Sequence, residues 1–214
     1  MRIGIIGYGN MARALAGRWV KEHEIMLSGR NLDKAAEAAR SLNIKSGSIA
    51  EAAGFGEVVV FATHNAAVFD AIEQAGGARA FADKVVIDIN NPIDTKTFLT
   101  TRTDGLSLTE AIADALPGAY VGKAFNMAQA RVWADPDKSF DGRAMVTPYT
   151  ADEAADEMLA TLIADVGSEP LRLGGNEHAY KLEAAAAIVI QVLFAGGDAH
   201  TVLNLIRPEA KPIR

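Results

Sequence analysis

The chain of 214 residues contains no cysteine, and its four histidines are scattered along it. Without cysteine there is no disulfide, no thiolate nucleophile and no zinc site with thiolate ligands. The histidines stand at positions 23, 64, 178 and 200, and no two of them have the close spacing of a metal-ligand pair. The sequence therefore predicts no metal site.

Long apolar runs and an excess of positive charge are also missing. The longest apolar run, Ala184–Ala195, has twelve residues, whereas a helix needs about 20 to cross a bilayer. The net charge is −6 and the isoelectric point is near 5.2, which disfavours nucleic-acid binding because such binding needs a basic face. We therefore expect neither a membrane nor a nucleic acid as a partner.

An apolar strand sequence at the start of the chain runs into a glycine-rich turn at residues 7–12, with the pattern G-x-G-x-x-A. In this pattern Gly7 allows the tight turn, Gly9 lets the backbone approach a pyrophosphate, and Ala12 lets a helix pack closely on the sheet. The N–H groups at the helix N-terminus favour phosphate. We interpret Gly7, Gly9, Asn10, Met11 and Ala12 as the start of a dinucleotide site; the alternative is a turn that only packs.

The end of the second predicted strand indicates which nicotinamide cofactor is bound. A domain that prefers NAD places Asp or Glu at this tip to bind the ribose 2′-OH. Here the tip reads Ser28-Gly29-Arg30, and Lys34 follows one helical turn later. Because a guanidinium and an ammonium group suit a 2′-phosphate, we predict that Ser28, Arg30 and Lys34 bind NADP(H). The alternative is that both cations are ordinary surface residues.

Strand and helix patterns alternate up to a strand at 120–125, which is typical of a doubly wound, parallel α/β sheet of the Rossmann type. The Val/Ile runs at 58–61 and 85–87 indicate strands covered on both faces. Further on, the pattern predicts a smaller α/β part with strands at 144–147 and 169–173, a helix at 151–166 and a long helix from residue 176. We divide the chain into an NADP-binding Rossmann domain, 1–142, and a small C-terminal domain, 143–214.

Polar residues follow three predicted strands, and ligands of open α/β sheets bind beyond these carboxyl ends. Asparagine amides at two of the tips can donate and accept hydrogen bonds toward ribose or a carboxamide. The residues that we predict to contact the cofactor here are Ala62, Thr63, His64, Asn90, Pro92 and Asn126. For Asn126 the alternative is turn capping.

His64 is the candidate catalytic residue. Histidine gains and loses a proton near neutral pH, and His64 lies at the sheet edge where a substrate would meet the cofactor. The alternative is a histidine that only belongs to a turn.

These residues together resemble the deazaflavin (coenzyme F420)-dependent NADP oxidoreductases. The resemblance covers nearly the whole chain and is carried by residues 1–10, the Ser28–Lys34 tip, the Asn90-Asn91-Pro92 turn, the Lys123-Ala124-Phe125-Asn126 strand end and segment 169–174. It implies an N-terminal Rossmann domain, a small C-terminal domain and a homodimer. It also implies that NADP(H) is held through Gly7, Gly9, Asn10, Arg30 and Lys34, and that hydride passes between nicotinamide and a deazaflavin.

One departure leaves the hydride acceptor open. In archaeal members of the family, the segment after the fourth strand resembles the pattern Ile-Pro-Trp-x-His. This chain has Ala-Thr-His-Asn-Ala there, at 62–66. We predict an NADP(H)-dependent oxidoreductase whose small-molecule substrate is a flat heterocycle, deazaflavin or flavin. The alternative is an NADP(H)-binding sensor without turnover. An open cavity beside His64 and Asn90 would favour the enzyme, and a filled one the sensor.

The apolar run Ala184–Ala195 predicts a helix that is apolar nearly all round. We expect part of it, or the segment Leu203–Ile206, to pack against a second subunit of a homodimer. Because the first strand lies at the N-terminus, we expect no signal peptide and a cytoplasmic location.

Overall fold

The computed structural model describes residues 1–140, 142–198 and 205. The strands are β1 (Arg2–Ile6), β2 (Glu24–Ser28), β3 (Lys45–Gly47), β4 (Val58–Phe61), β5 (Val85–Asp88), β6 (Tyr120–Lys123), β7 (Ser139–Phe140), β8 (Arg143–Ala144), β9 (Val146–Ala151) and β10 (Glu169–Arg172). The α-helices are α1 (Asn10–Trp19), α2 (Leu32–Leu42), α3 (Ile49–Phe55), α4 (Val68–Ala75), α5 (Leu108–Ala115), α6 (Ala130–Ala134), α7 (Asp156–Asp165) and α8 (Ala179–Phe194). Among the described residues, no helix has the length and apolar character needed to cross a membrane.

Eight strands form one sheet in the order β10-β9-β6-β5-β4-β1-β2-β3. Six neighbouring strands of this sheet are parallel to one another: β3, β2, β1, β4, β5 and β6. The order in which the chain adds strands reverses between β1 and β4. Ligands of such sheets bind at this reversal, outside the carboxyl ends of the strands. The predicted doubly wound α/β sheet is confirmed.

The sheet continues beyond the parallel part. β9 pairs antiparallel with β6 through Gly122 and Ala151, and β10 pairs parallel with β9, so the whole sheet is mixed. The prediction of a helix from 151 is wrong at its start, because Ala151 ends β9 and α7 begins at Asp156. Pairing with β6 overrides the helical pattern there, and the Asp152 carboxylate accepts the Val121 N–H at 2.7 Å. The division into two domains stays a prediction.

β4 and β5 are buried along their whole length, as their apolar runs predict. One face of the sheet packs under α1 and α7, where Leu15, Leu159 and Ile163 belong to one apolar cluster. The other face packs under α4 and α5, where Ile72 and Ile112 belong to a second cluster. Helices on both faces leave the carboxyl edge of the sheet as the place where polar groups meet.

Three aromatic rings fix the chain where β6 ends. The Phe125 ring makes edge contacts with Trp19 at 5.5 Å and with Trp133 at 5.3 Å between ring centroids. Trp133 donates its indole N–H to the Phe125 carbonyl at 3.1 Å. The backbone at Phe125 has a positive φ of 61°, which residues other than glycine rarely adopt. The packing and the hydrogen bond hold this backbone turn, which places Asn126 at the sheet edge.

Candidate active site

Two glycines of the first turn have different surroundings. Gly7 has a φ of +142°, and a Cβ there would lie 2.2 Å from the Ala62 carbonyl oxygen, so both the backbone and the packing require glycine. A Cβ on Gly9 would meet no atom of the described chain within 4 Å. The protein itself therefore does not require glycine at position 9, whereas close approach of a phosphate does.

Gly9 is also the N-cap residue of α1. No side chain of the described residues caps this end, and the first turn of the helix contains no acidic residue. The free N–H groups and the positive end of the helix dipole are therefore available to an anion. Asn10 turns its side-chain oxygen toward Arg13, whose guanidinium donates to it at 2.8 Å, while Ala12 is fully buried and Met11 packs against the core. These features fit a dinucleotide pyrophosphate.

A cavity of about 220 Å³ opens beside this turn. It brings together several predicted residues: Gly7, Gly9, Arg30, Ala62, Thr63 and His64. Tyr8, Ile49 and Gln74 also line it. Sequence reasoning missed Tyr8 because it occupies a variable position of the glycine turn, and it missed Ile49 and Gln74 because they belong to no motif. The Tyr8 ring lies against Gly29, where a Cβ would come within 2.6 Å of it.

The residues predicted to bind the cofactor at the end of β2 divide into two exposed cations and one buried serine. Arg30 lines the cavity with an exposed side chain, and Lys34 is exposed on the first turn of α2. Ser28 is fully buried, and its hydroxyl donates to the Ile5 carbonyl at 3.0 Å, inside the sheet. The hydroxyl of Ser28 thus joins β2 to β1.

A larger, open cavity of about 660 Å³ adjoins the first one. His64 lines both cavities, and Pro92 lines the larger one together with Phe69 and Leu108. The Nδ1 atom of His64 accepts the Ala66 N–H at 3.3 Å. In a neutral imidazole this hydrogen bond leaves the proton on Nε2, which can donate to a ligand.

Asn90 is held tightly at the end of β5. Its backbone N–H and its side-chain amide both donate to Asp88 Oδ1 at 2.9 Å, and the amide also donates to the Phe61 carbonyl at 3.0 Å. No described residue donates to its side-chain oxygen. Asn90 can therefore act toward a ligand only as an acceptor, a narrower role than the sequence predicts. It does not line the larger cavity.

Asn126 is buried and joins three segments. Its amide donates to Asn91 Oδ1 at 2.9 Å and to the Leu182 carbonyl at 3.0 Å, and Asn91 donates back to the Asn126 carbonyl at 2.8 Å. Its side-chain oxygen is buried without a hydrogen-bond partner among the described residues. In this arrangement Asn126 ties the turns after β5 and β6 to α8, and its assignment to the cofactor stays a prediction.

A buried ionic cluster underlies this edge. The ammonium group of Lys123 contacts Asp88 Oδ2 at 2.7 Å, the Asn90 carbonyl at 2.6 Å and Glu183 Oε1 at 3.2 Å, and its side chain is fully buried. Thr109 also donates to Asp88 Oδ2 at 2.9 Å. Burial raises the pKa of Glu183 above its ordinary value, although Lys123 opposes the shift.

Sequence reasoning missed this cluster. The available signal was an aspartate directly after the Val/Ile run at 85–87 and a lysine inside the predicted strand at 120–125, because a charge that becomes buried needs a partner. The pairing of β5 with β6 places Asp88 opposite Lys123. Glu183 comes from α8, far along the chain, and no local pattern connects it to them.

Comparisons with known proteins show a family match over part of the chain and several structures with a similar fold. Residues 2–92 match the family model described as NADP oxidoreductase, coenzyme F420-dependent. A comparison with curated protein sequences found no match. Among solved structures, a candidate F420-dependent NADP reductase from Arthrobacter sp. FB24 is 26% identical with a TM-score of 0.81, and the match covers 92% of this chain and 96% of that one.

Two further structures show the same fold. A hypothetical protein from Sinorhizobium meliloti is 24% identical with a TM-score of 0.74, over 97% of this chain and 96% of that one. An imine reductase from Streptomyces aurantiacus is 17% identical with a TM-score of 0.62, over 91% of this chain but 61% of the longer enzyme. Over residues 2–92, the chain is similar to the coenzyme F420-dependent NADP oxidoreductase family.

Proposed function

We propose that this protein is an NADP(H)-dependent oxidoreductase that transfers hydride between nicotinamide and a flat heterocyclic acceptor, deazaflavin or flavin. The observation that carries this proposal is the adjacency of two cavities that share His64 as a lining residue. The smaller one adjoins the glycine turn, and the larger one is open. A nucleotide that starts at the turn would therefore extend toward a space that can admit a second substrate.

The binding roles follow from charge and space. The open position at Gly9 and the uncapped start of α1 would hold the pyrophosphate. The exposed Arg30 and Lys34 would hold the 2′-phosphate, since Arg30 lines the nucleotide cavity and Lys34 lies one helical turn further on. NADP(H), when bound, supplies or receives the hydride.

The remaining residues would position the reacting groups. Hydride transfer to a flat ring depends on orientation more than on an acid or base. Phe69, Pro92 and Leu108 provide an apolar wall of the larger cavity, while His64 can hold a proton on Nε2 and donate a hydrogen bond there. The side-chain oxygen of Asn90 would accept a hydrogen bond from the cofactor at the sheet edge.

Of the two residues expected to border an open cavity in an enzyme, His64 lines the open cavity and Asn90 does not. The open space at His64 favours an enzyme over a sensor, because a sensor has no need of space for a second substrate. The test is anaerobic NADPH oxidation against a panel of deazaflavin, flavins, quinones and iron chelates, with the Gly9→Val protein as a control without nucleotide binding. We expect reduction of deazaflavin or flavin by the unmodified protein. Tight NADPH binding without reduction of any acceptor would instead support the sensor.

We also propose a homodimer in which α8 lies at the subunit interface. Along this helix Tyr180, Ile188 and Val192 are exposed by 54%, 60% and 41%, and their spacing places them on one side of the helix. Such a row of apolar side chains favours a partner surface. Of the predicted segment Leu203–Ile206 only Leu205 lies within the described residues, and it is exposed.

A further inference from the structure

A third cavity, of about 330 Å³, lies between the loop at 92–107, the start of α5 and the helix α8. Its walls are mainly apolar and include Ile93, Phe98, Leu99, Leu106 and Ala187. Pro92, Ile93 and Arg102 line both this cavity and the 660 Å³ cavity. No residue lines both this cavity and the nucleotide cavity.

Glu183 is the acidic residue of this apolar space. The residue is only 8% exposed, and it lines the cavity. Its Oε1 atom accepts the Leu108 N–H at 2.9 Å and contacts Lys123 at 3.2 Å. No described residue donates to its Oε2 atom. Oε2 is therefore the acceptor of Glu183 that stays available to a ligand in the cavity, since the donors from Leu108 and Lys123 both contact Oε1.

The surrounding charges decide which kind of donor fits. Lys123, Asp88 and Glu183 carry formal charges of +1, −1 and −1, so the cluster has a net charge of −1 when Glu183 is ionised. Arg102 also lines the cavity, but its guanidinium is bonded to Asp104 and to the Leu106 carbonyl. An added cation would neutralise the cluster, whereas an added anion would raise its net negative charge.

We propose that this cavity binds an organic cation, an alkyl- or arylammonium whose N–H donates to Glu183 Oε2 and whose apolar body packs between the loop at 92–107 and α8. The volume suits a molecule of one or two rings. The inference goes beyond the proposed hydride transfer and does not depend on it, because it needs neither NADP(H) nor turnover.

The first experiment titrates the protein with benzylammonium and with two probes of similar shape, benzyl alcohol and benzoate. Binding is followed by calorimetry, and the site is located by NMR shifts of Ile93, Tyr180 and Ala184. We expect saturable 1:1 binding of benzylammonium with shifts at these residues, and at least about tenfold weaker binding of the neutral and anionic probes. Equal binding of all three probes would overturn the proposal.

Two variants test the contributions of the Glu183 charge and of the cavity volume separately. Glu183→Gln keeps an oxygen for Leu108 and Lys123 but removes the negative charge, and we expect at least about tenfold weaker binding of benzylammonium. Ala187→Phe fills the cavity and leaves the charged residues in place, and we expect loss of binding. Gln191→Phe is the matched control, since Gln191 is exposed on α8 and does not line the cavity.

NADPH affinity is measured in parallel on the same samples. Loss of benzylammonium binding in Ala187→Phe with unchanged NADPH affinity supports the cation site. Absence of NADPH binding together with specific benzylammonium binding would reject the proposed function and leave this site intact. If Glu183→Gln does not fold, Ala187→Phe decides the matter, and unchanged benzylammonium affinity in that variant overturns the proposal.

Discussion

Gly7 and Gly9 stand two residues apart in the same turn but have different physical reasons to be glycine. The backbone at Gly7 has a positive φ, and any side chain there would collide with the Ala62 carbonyl. The position at Gly9 has open space around it. A side chain at Gly9 would therefore compete with a ligand and leave the chain itself unstrained.

This contrast makes the first prediction. Gly9→Val should fold with a melting temperature close to that of the unmodified protein and lose NADPH binding, because the valine occupies the space of the pyrophosphate. Gly7→Val should be strongly destabilised, since it combines backbone strain with a clash. Thermal unfolding and NADPH titration of both proteins test this. Normal NADPH affinity in folded Gly9→Val would mean that the turn does not bind the cofactor.

The second prediction concerns Arg30. If its guanidinium binds the 2′-phosphate, Arg30→Ala should weaken NADPH binding by about tenfold to a hundredfold, the loss expected for one charge-assisted hydrogen bond. NADH binding should change little, because NADH lacks the phosphate. Arg40→Ala is the control, since Arg40 is exposed at the other end of α2. Equal affinities of the unmodified protein for NADPH and NADH would contradict the cofactor assignment.

At the scale of the elements, one carboxylate joins α8 to the rest of the fold. Glu183 accepts the first free N–H of α5, at Leu108, and contacts Lys123 of β6. A negative charge at a helix N-terminus is favourable, and Lys123 in turn bonds Asp88 of β5. Through these contacts the position of α8 is coupled to the ends of the two strands that carry Asn90 and Asn126.

The third prediction tests this coupling. Lys123→Met leaves the two buried carboxyl groups of Asp88 and Glu183 without a compensating positive charge, so we expect a loss of about 3–5 kcal/mol in the free energy of unfolding. Urea denaturation measures it. Lys45→Met is the matched control, because Lys45 forms an exposed ion pair with Glu24 and its loss should change stability far less. Similar losses in the two variants would show that the buried cluster has no special role.

The fourth prediction follows from the raised pKa of Glu183. Between its ordinary pKa of 4.5 and the raised value, the folded protein binds more protons at this group than the unfolded chain does. Stability from this group therefore falls as the pH rises through that window. The unfolding free energy of the unmodified protein minus that of Glu183→Gln should decrease from pH 4.5 upward and then become constant. A difference that is flat or rises with pH would contradict the shift.

At the scale of the whole molecule, a single chain leaves one side of α8 exposed with apolar side chains, Ile188 and Val192 among them. Our fifth prediction is a dimer at micromolar concentration by sedimentation, converted to a monomer by Ile188→Lys, which places a charge in the proposed interface. Met158→Lys is the control, since Met158 is exposed on α7. A monomeric unmodified protein would show that this side of α8 has no second copy as its partner.

The sequence by itself determined the features that depend on neighbouring residues. The glycine turn, the buried strands β4 and β5 and the cations after β2 all follow from patterns within about ten residues, because strand and helix periodicity and turn chemistry are local. The order of strands and helices then predicts the doubly wound sheet, since short crossovers with a fixed hand leave few other arrangements.

The tertiary structure decided which polar groups stay available. Asn90 and Asn126 look alike in the sequence, but Asp88 and Phe61 occupy the donors of Asn90, while Asn91 and Leu182 occupy those of Asn126. Asp88 ends β5 just before Asn90, but Phe61 belongs to β4, Asn91 follows β5 and Leu182 belongs to α8. The Asp88–Lys123–Glu183 cluster likewise exists because sheet register and helix packing bring distant charges together. Burial and pairing are properties of the packed chain, and no local pattern contains them.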